Sequence, residues 1–338
     1  MKAIVEPLRK DEDRVMLKDV LPVKTPFSFL VFTGDICNIN CNYCIHSLPR
    51  DKQSPGLVRK FLSWDLFMKI ARQSTQFPDK IKKYTFCGNG EPLLNPRLPD
   101  MIRVVNDLDL TNEIVVATNG LPLTQELSLK LAESGLNTIV ISIQGISARK
   151  YKEICGADID FEKFLDNLRF FYKNKNNCRV YLKTLDSCLD EGDEERFYNI
   201  FGDICDIINI HTTNRIYSDL DYTGIVKKND VSIFNQKSFL QETCSHSFYS
   251  LKVSAEGEMA PCCIFPYPLS LGNVETTTLF EAFHGETRKQ FLLSQLNLQR
   301  RSHPICGKCS IPDNKGFEKD NLDPYVEQLI PKYHQYQV

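Results

Sequence analysis

The sequence predicts an α/β protein: an open, partial (βα)6 barrel, TIM-like but two units short of closure, followed by a small α+β domain. Three observations predict it. Short apolar runs alternate with amphipathic stretches six times between Phe27 and His211, a rhythm that implies parallel strands joined by right-handed crossovers. The runs are rich in Val, Ile and Phe and do not alternate strictly, as suits strands buried on both faces. After residue 212 the rhythm stops, and cysteines return from Cys244 to Cys309.

The strands are expected at 27–33, 83–87, 113–118, 138–144, 179–184 and 207–211. Between them, Ser63 can cap a helix to about residue 76, and 98–106 reads as a second. Thr124 can cap 125–134, with Gly135 as the stop; 161–173 and 193–201 complete the set. Residues 212–240 are mixed and polar and read as a connection reaching over the barrel mouth. Within it, Arg215, Tyr217, Asp219 and Asp221 read as solvated loop rather than as a site. Further on, 248–253 and 259–264 flank Glu256-Gly257 as a β-hairpin, 279–296 reads as one helix, and the polar, aromatic tail from 311 reads as a surface wrap. The expected division is an N-terminal segment 1–26, a barrel 27–230, a cysteine-bearing domain 240–312 and a tail 313–338.

Bulk properties exclude several classes. Of 338 residues, 42% are hydrophobic and 25% charged, which is ordinary for a globular chain with a substantial core. A net charge of −2 gives no reason to expect nucleic acid or an anionic membrane as partner. No apolar run approaches the roughly 18–20 residues of a membrane helix, and the N-terminus lacks a secretory apolar core. A cytoplasmic location is expected. There thiols stay reduced, so thirteen cysteines point to metal or cluster ligation rather than disulfides. Cys178, Cys188 and Cys205 sit in or beside apolar stretches and read as packing residues.

The most informative string is CNINCNYC, holding Cys37, Cys41 and Cys44 just past the first strand. Three thiolates on one loop can hold three irons of a [4Fe–4S] cube and leave the fourth open to a small ligand. Zinc is the bland alternative, but it needs a second ligand pair nearby, and His46 alone, expected to be an exposed polar residue, does not supply one. GNGEP (88–92), TNG (118–120) and SIQG (142–145) fall at the ends of the next three strands, the face where barrels carry their chemistry. A second constellation comprises Cys244, Gly257, Cys262, Cys306 and Cys309, with Cys263 the rival of Cys262 and a structural zinc the bland reading.

This motif set resembles the radical S-adenosylmethionine (radical SAM) enzymes, over roughly residues 27–309. The resemblance implies that Cys37, Cys41 and Cys44 ligate the cube whose open iron binds S-adenosylmethionine. It places Tyr43 by the adenine, Gly88, Gly90 and Glu91 by the methionine end with Glu91 accepting from the ammonium, and Asn119, Ser142 and Gln144 around the ribose and carboxylate. Gln144 stands where relatives carry an acid, and Cys155 where they carry an Arg, so Arg149 or Lys152 would have to replace that cation if they are not simply solvated.

The later cysteines are similar to the SPASM auxiliary-cluster domain, in its shorter, one-cluster Twitch form. That implies Cys244, Cys262, Cys306 and Cys309 as ligands of a second, closed [4Fe–4S] cube. The implied chemistry is reductive cleavage of S-adenosylmethionine to a 5′-deoxyadenosyl radical that removes hydrogen from substrate, fed by a flavodoxin- or ferredoxin-type reductant. The layout resembles that of dehydrogenases of aminocyclitol biosynthesis, implying a radical SAM oxidoreductase acting on a sugar- or cyclitol-like small molecule, with the auxiliary cluster as electron acceptor. About 26 residues precede the first strand, too few for a leader-peptide domain, which tilts the expectation from a peptide to a small-molecule substrate. The alternatives are a peptide-modifying maturase and an iron–sulfur electron carrier without S-adenosylmethionine chemistry.

Overall fold

The computed structural model describes the chain except residues 54–56, 218–219, 228–230, 235–236 and 337–338. Asp219 and the domain limits expected at 230 and 338 therefore lie outside the described residues. Six strands form the expected parallel series: β2 (Ser28–Phe32), β3 (Lys83–Cys87), β4 (Ile114–Thr118), β5 (Thr138–Ile143), β6 (Arg179–Leu185) and β7 (Ile207–His211). Three further strands are β1 (Ile4–Val5), β8 (Ser250–Val253) and β9 (Met259–Ala260). The sheet order is β1-β7-β6-β5-β4-β3-β2-β8-β9. β2 and β7 never pair, so the barrel stays open; β1 adds in parallel to β7, and β8 in parallel to β2.

Each expected strand forms within a residue or so of its expected bounds because its side chains are buried in the way the runs implied. Phe29, Val31, Tyr84, Phe86, Val116, Ile139, Leu182 and Ile208 are fully enclosed. The helix Leu98–Asp107 buries Leu98, Met101, Ile102 and Val105, the spacing of one helical face. Ser63 caps Trp64–Ser74 by accepting from Leu66 N at 3.3 Å, and Thr124 caps Gln125–Ala132 by accepting from Leu127 N at 3.1 Å. Gly135, at φ +87°, turns the chain out of that last helix.

The C-terminal part differs from expectation in four places, the first being that the second hairpin strand, expected at 259–264, ends at Ala260. Phe248 and Tyr249 belong to a short helix, His246–Tyr249, so the hairpin strand starts only at Ser250. The stretch 279–296 is two helices, Leu279–His284 and Glu286–Leu296. Gly285 between them is extended at φ −67°, ψ 162°, and a Cβ there would stand 2.5 Å from Glu281 O. The tail carries a helix, Val326–Gln335, whose Leu329 and Tyr333 are buried, with Tyr333 edge-on to Phe248; it is part of the core rather than a surface wrap.

Candidate active site and a second cysteine centre

The register of the sheet sets the site. Phe32 lies opposite Cys87, so the cysteine loop and GNGEP leave the sheet side by side; Thr118 and Ser142 sit at the same end of β4 and β5. All four motifs line one cavity of about 300 Å³, including Cys37, Cys41, Tyr43, Cys44, Gly88, Gly90, Glu91, Asn119, Ser142 and Gln144.

The glycines do more than admit a ligand. Gly90 N donates to Gly34 O at 3.2 Å and Glu91 N to Ile36 O at 2.8 Å. A Cβ on Gly88 would stand 2.6 Å from Gly34 O, and one on Gly90 2.3 Å from Ile36 O. Backbone must meet backbone here, which only glycine permits.

Glu91 has a structural role beside its expected one. Its carboxylate, buried at 4% exposure, accepts from Leu93 N at 2.9 Å, Thr118 Oγ1 at 2.5 Å and Asn119 N at 2.7 Å. It braces the end of β3 to the end of β4, and most of its acceptor capacity serves its own chain. Burial still pushes its pKa up to about 7.

The cysteine loop rests on the helix Ala148–Cys155. The last carbonyls of a helix lack partners within it; here Cys155 O accepts from Asn40 N at 3.1 Å and Ile154 O from Asn42 N at 2.8 Å. Cys155 also lies against Cys41, so the residue replacing the family's Arg packs under the loop. Arg149 and Lys152 are exposed and paired with Asp190 and Asp158, leaving neither as a substitute cation in the cavity. His46, expected to be exposed, is buried, and its Nε2 meets Asn89 O at 2.5 Å; that bond ties the loop to GNGEP. Tyr43 gives its hydroxyl to Gln144 Oε1, and the Cys188 thiol stands 3.9 Å from both. Asn119 Nδ2 donates to Asn38 Oδ1 at 2.8 Å and reaches 4.0 Å from the Cys37 sulfur.

Burial raises the Cys37 thiol to about 11 and raises Cys44; contact with Cys155, then burial, raises Cys41. Three such thiols become ligands only when a positive centre stabilises their thiolates. A cube takes each thiolate on a separate iron, so its donors stand farther apart than those of one zinc. Among the described residues, no three His, Cys, Asp or Glu side chains gather closely enough for a single ion. The donor set fits an iron–sulfur cube.

Sequence reasoning missed the far wall. Lys183 on β6, His211 on β7, and Thr212, Thr213 and Asn214 beyond it line the same cavity. His211 Nε2 meets Tyr181 Oη at 2.6 Å, and Thr213 gives both N–H and hydroxyl to Asp186 Oδ1 at 2.8 and 2.6 Å. The available signal was a polar residue inside or ending an apolar strand run. As expected, the connection reaches the mouth, through Thr212–Asn214, Ile216 and Ile233.

At the second centre, Cys262 lies within electrostatic reach of Cys244 and Cys306, and Cys244 within reach of Cys309 and Cys306. Cys263 instead faces Cys87 as well as Cys262. Burial raises Cys244 and Cys306 to about 12. Arg300, with no exposed surface, holds the centre together. It donates to Cys306 O at 3.2 Å, Cys309 O at 3.0 Å, Gln241 O at 2.9 Å and Asp313 Oδ1 at 3.2 Å. Beside the first centre, Ile45, Leu57 and Phe265 form a small apolar cluster against which Cys44, Tyr217 and Tyr267 pack. Tyr217 is thus half-buried near Cys44 and Cys263 rather than part of a solvated loop.

Residues 31–185 match the Radical SAM superfamily model, and residues 244–310 match SPASM, an iron-sulfur cluster-binding domain. Fold and paired cysteine centres together define a radical SAM enzyme with a C-terminal auxiliary iron–sulfur domain. The chain carries both domains, and the cofactors they take are S-adenosylmethionine and [4Fe–4S] clusters.

A probable GTP 3′,8-cyclase of Methanococcus vannielii is 33% identical over 133 residues, 39% of this chain and 41% of the relative. A tungsten-containing aldehyde ferredoxin oxidoreductase cofactor-modifying protein of Pyrococcus furiosus is 33% identical over 107 residues, 32% of this chain and 28% of the relative. The chain spans less than half the length of these curated relatives. Among solved structures, Streptococcus suis SuiB bound to S-adenosylmethionine gives a TM-score of 0.61 at 13% identity, covering 93% of this chain and 80% of SuiB. BtrN in complex with AdoMet and 2-DOIA gives 0.52 at 18%, covering 85% and 93%. At those identities the likeness is one of fold. No helix among the described residues is long and apolar enough to cross a membrane.

Proposed function

We propose that the protein is a radical SAM oxidoreductase acting on a small polar molecule, of sugar or cyclitol type, with its second cluster as electron acceptor. The observation that carries the reading is the cavity. It is bounded by the Cys37–Cys41–Cys44 loop on one side and by Lys183, His211 and the connection after β7 on the other, and its volume of about 300 Å³ suits a small molecule. Bound there, the cluster and S-adenosylmethionine supply one-electron cleavage of the sulfonium and removal of a hydrogen atom from substrate.

The chain's own residues would bind, orient and enclose. Cys37, Cys41 and Cys44 are assigned as ligands of the first cube, and Cys244, Cys262, Cys306 and Cys309 of the second. Cys262 is preferred to Cys263 because it faces Cys244 and Cys306. Tyr43, Gly88, Gly90, Glu91, Asn119, Ser142 and Gln144 are assigned to S-adenosylmethionine, with Glu91 also positioning Asn119. Lys183 and His211 give the far wall a basic character suited to hydroxyl or anionic groups of a substrate.

The test is anaerobic. Reconstituted protein should hold about eight irons, cleave S-adenosylmethionine with dithionite, and form 5′-deoxyadenosine faster when given the right sugar or cyclitol. Acceleration by peptides alone would replace this reading with a maturase. Eight irons without any nucleoside would leave an electron carrier.

A further inference from the structure

Lys252 lies on β8, paired with Leu30 of β2 on one side and Ala260 of β9 on the other, and has no exposed surface. Its ammonium makes no hydrogen bond to any described residue. It stands 3.2 Å from the ring centre of Tyr267 and 4.2 Å from that of Phe32. Burial lowers the pKa of its amine to about 7, and the groups around it that oppose this, by favouring the charged form, are Asp35, Cys262, Cys87 and Cys263. Asp35 is itself buried and held by Asn89 Nδ2 at 3.3 Å. Lys252 lines no wall of the main cavity, so no ligand there explains it.

A buried amine without hydrogen bonds is costly. Two aromatic faces offset part of that cost, and one carboxylate another part. The remaining neighbours are thiols, one of them assigned above to the second cube. A cube held by four thiolates is anionic, and more so when reduced. A fixed cation beside it therefore favours the reduced state, and does so strongly where water is excluded.

We propose that Lys252 is a positioning residue for electrons: its buried positive charge, set beside Cys262 and Cys263, raises the reduction potential of the auxiliary cluster. The inference rests on the assignment of Cys262 to that cluster.

The experiment is an EPR-monitored redox titration of the full-length C37A/C41A/C44A variant, in which only the auxiliary cluster remains. Adding K252M should shift its reduction equilibrium toward the oxidised form by tenfold or more, about 59 mV, at unchanged iron content. K252R should keep the parent potential. An unchanged potential in K252M at full cluster occupancy overturns the inference. So does loss of the cluster from both K252M and K252R, which would make Lys252 a structural residue. Loss from K252M alone, with the parent potential in K252R, supports the role of charge. A C37A/C41A/C44A protein that holds no cluster overturns the assignment of the second centre, and the inference with it.

Discussion

The two cysteine centres solve the same problem with opposite means. The first is held by main chain: Gly34, Ile36, Gly88 and Gly90 meet backbone to backbone, and the carbonyls of Ile154 and Cys155 catch the loop from behind. The second leans on side chains: Arg300 gathers the carbonyls of Cys306, Cys309 and Gln241 and the carboxylate of Asp313, and Gln295 Oε1 accepts from Cys244 N. The first centre opens on a cavity and offers three thiols, whereas the second offers four. Backbone support leaves the space before the loop free for a ligand. A buried guanidinium fixes the Cys306–Cys309 turn by its carbonyls and leaves their thiols free for a cluster.

The largest expected effect separates the centres by chemistry. C41A should lower 5′-deoxyadenosine formation more than about 10³-fold, a modest part of what enzymes supply. C262A should lose about four irons yet still cleave S-adenosylmethionine. If both variants lose cleavage equally, the division of labour fails.

Next comes the keystone. R300M strands three carbonyls and a carboxylate in the interior and should cost about 3–5 kcal/mol, read by urea unfolding, with iron lost from the second centre first. Equal loss from both centres would show that Arg300 supports the whole fold rather than one site.

The brace of the first centre should be visible in pH. Burial holds Glu91 at about 7 against an ordinary 4.5, so the folded protein binds more protons than the unfolded chain between those values. The stability from this group is full below 4.5 and is lost as pH rises through 7. The loss is of the order of 3 kcal/mol. Urea unfolding of the apoprotein across that window should show the slope, and E91Q should lack it.

Smaller still, G90A should cost about 1–3 kcal/mol and impair iron uptake at the first centre only, since its Cβ meets Ile36 of that loop. Iron retained in full would show that the loop can shift. Smallest is R149A, which breaks only exposed pairs with Glu153 and Asp190. It should change stability by less than about 1 kcal/mol and leave nucleoside formation intact; a loss of activity would restore it as the missing cation.

Legibility in the sequence followed the range of the forces. The strands of the barrel and the cysteine spacing are local patterns, and 83–87 and 207–211 form as read. Ile4 and Val5 are two exposed residues whose strand exists only because β7 has a free edge. His46 looks like a surface residue until GNGEP arrives to cover it. Arg300 carries no motif, because its partners are mostly carbonyls, which every residue has. Glu91 belongs to a legible motif, but its brace does not: its carboxylate accepts from Leu93, Thr118 and Asn119, donors that come together only in the fold.

The pairing of β8 with β2 also bears on how the chain tolerates being cut. β8 covers the N–H and C=O groups of β2 from Ser28 to Val31. A fragment ending before Cys244 would bare that row of groups on a strand carrying Phe29, Leu30 and Val31, and another molecule's strand could then add to it. The auxiliary domain thus works as a dust cover as well as a cluster holder: a barrel expressed without it would be a sticky, self-pairing edge, and the two halves of the protein are safest made together.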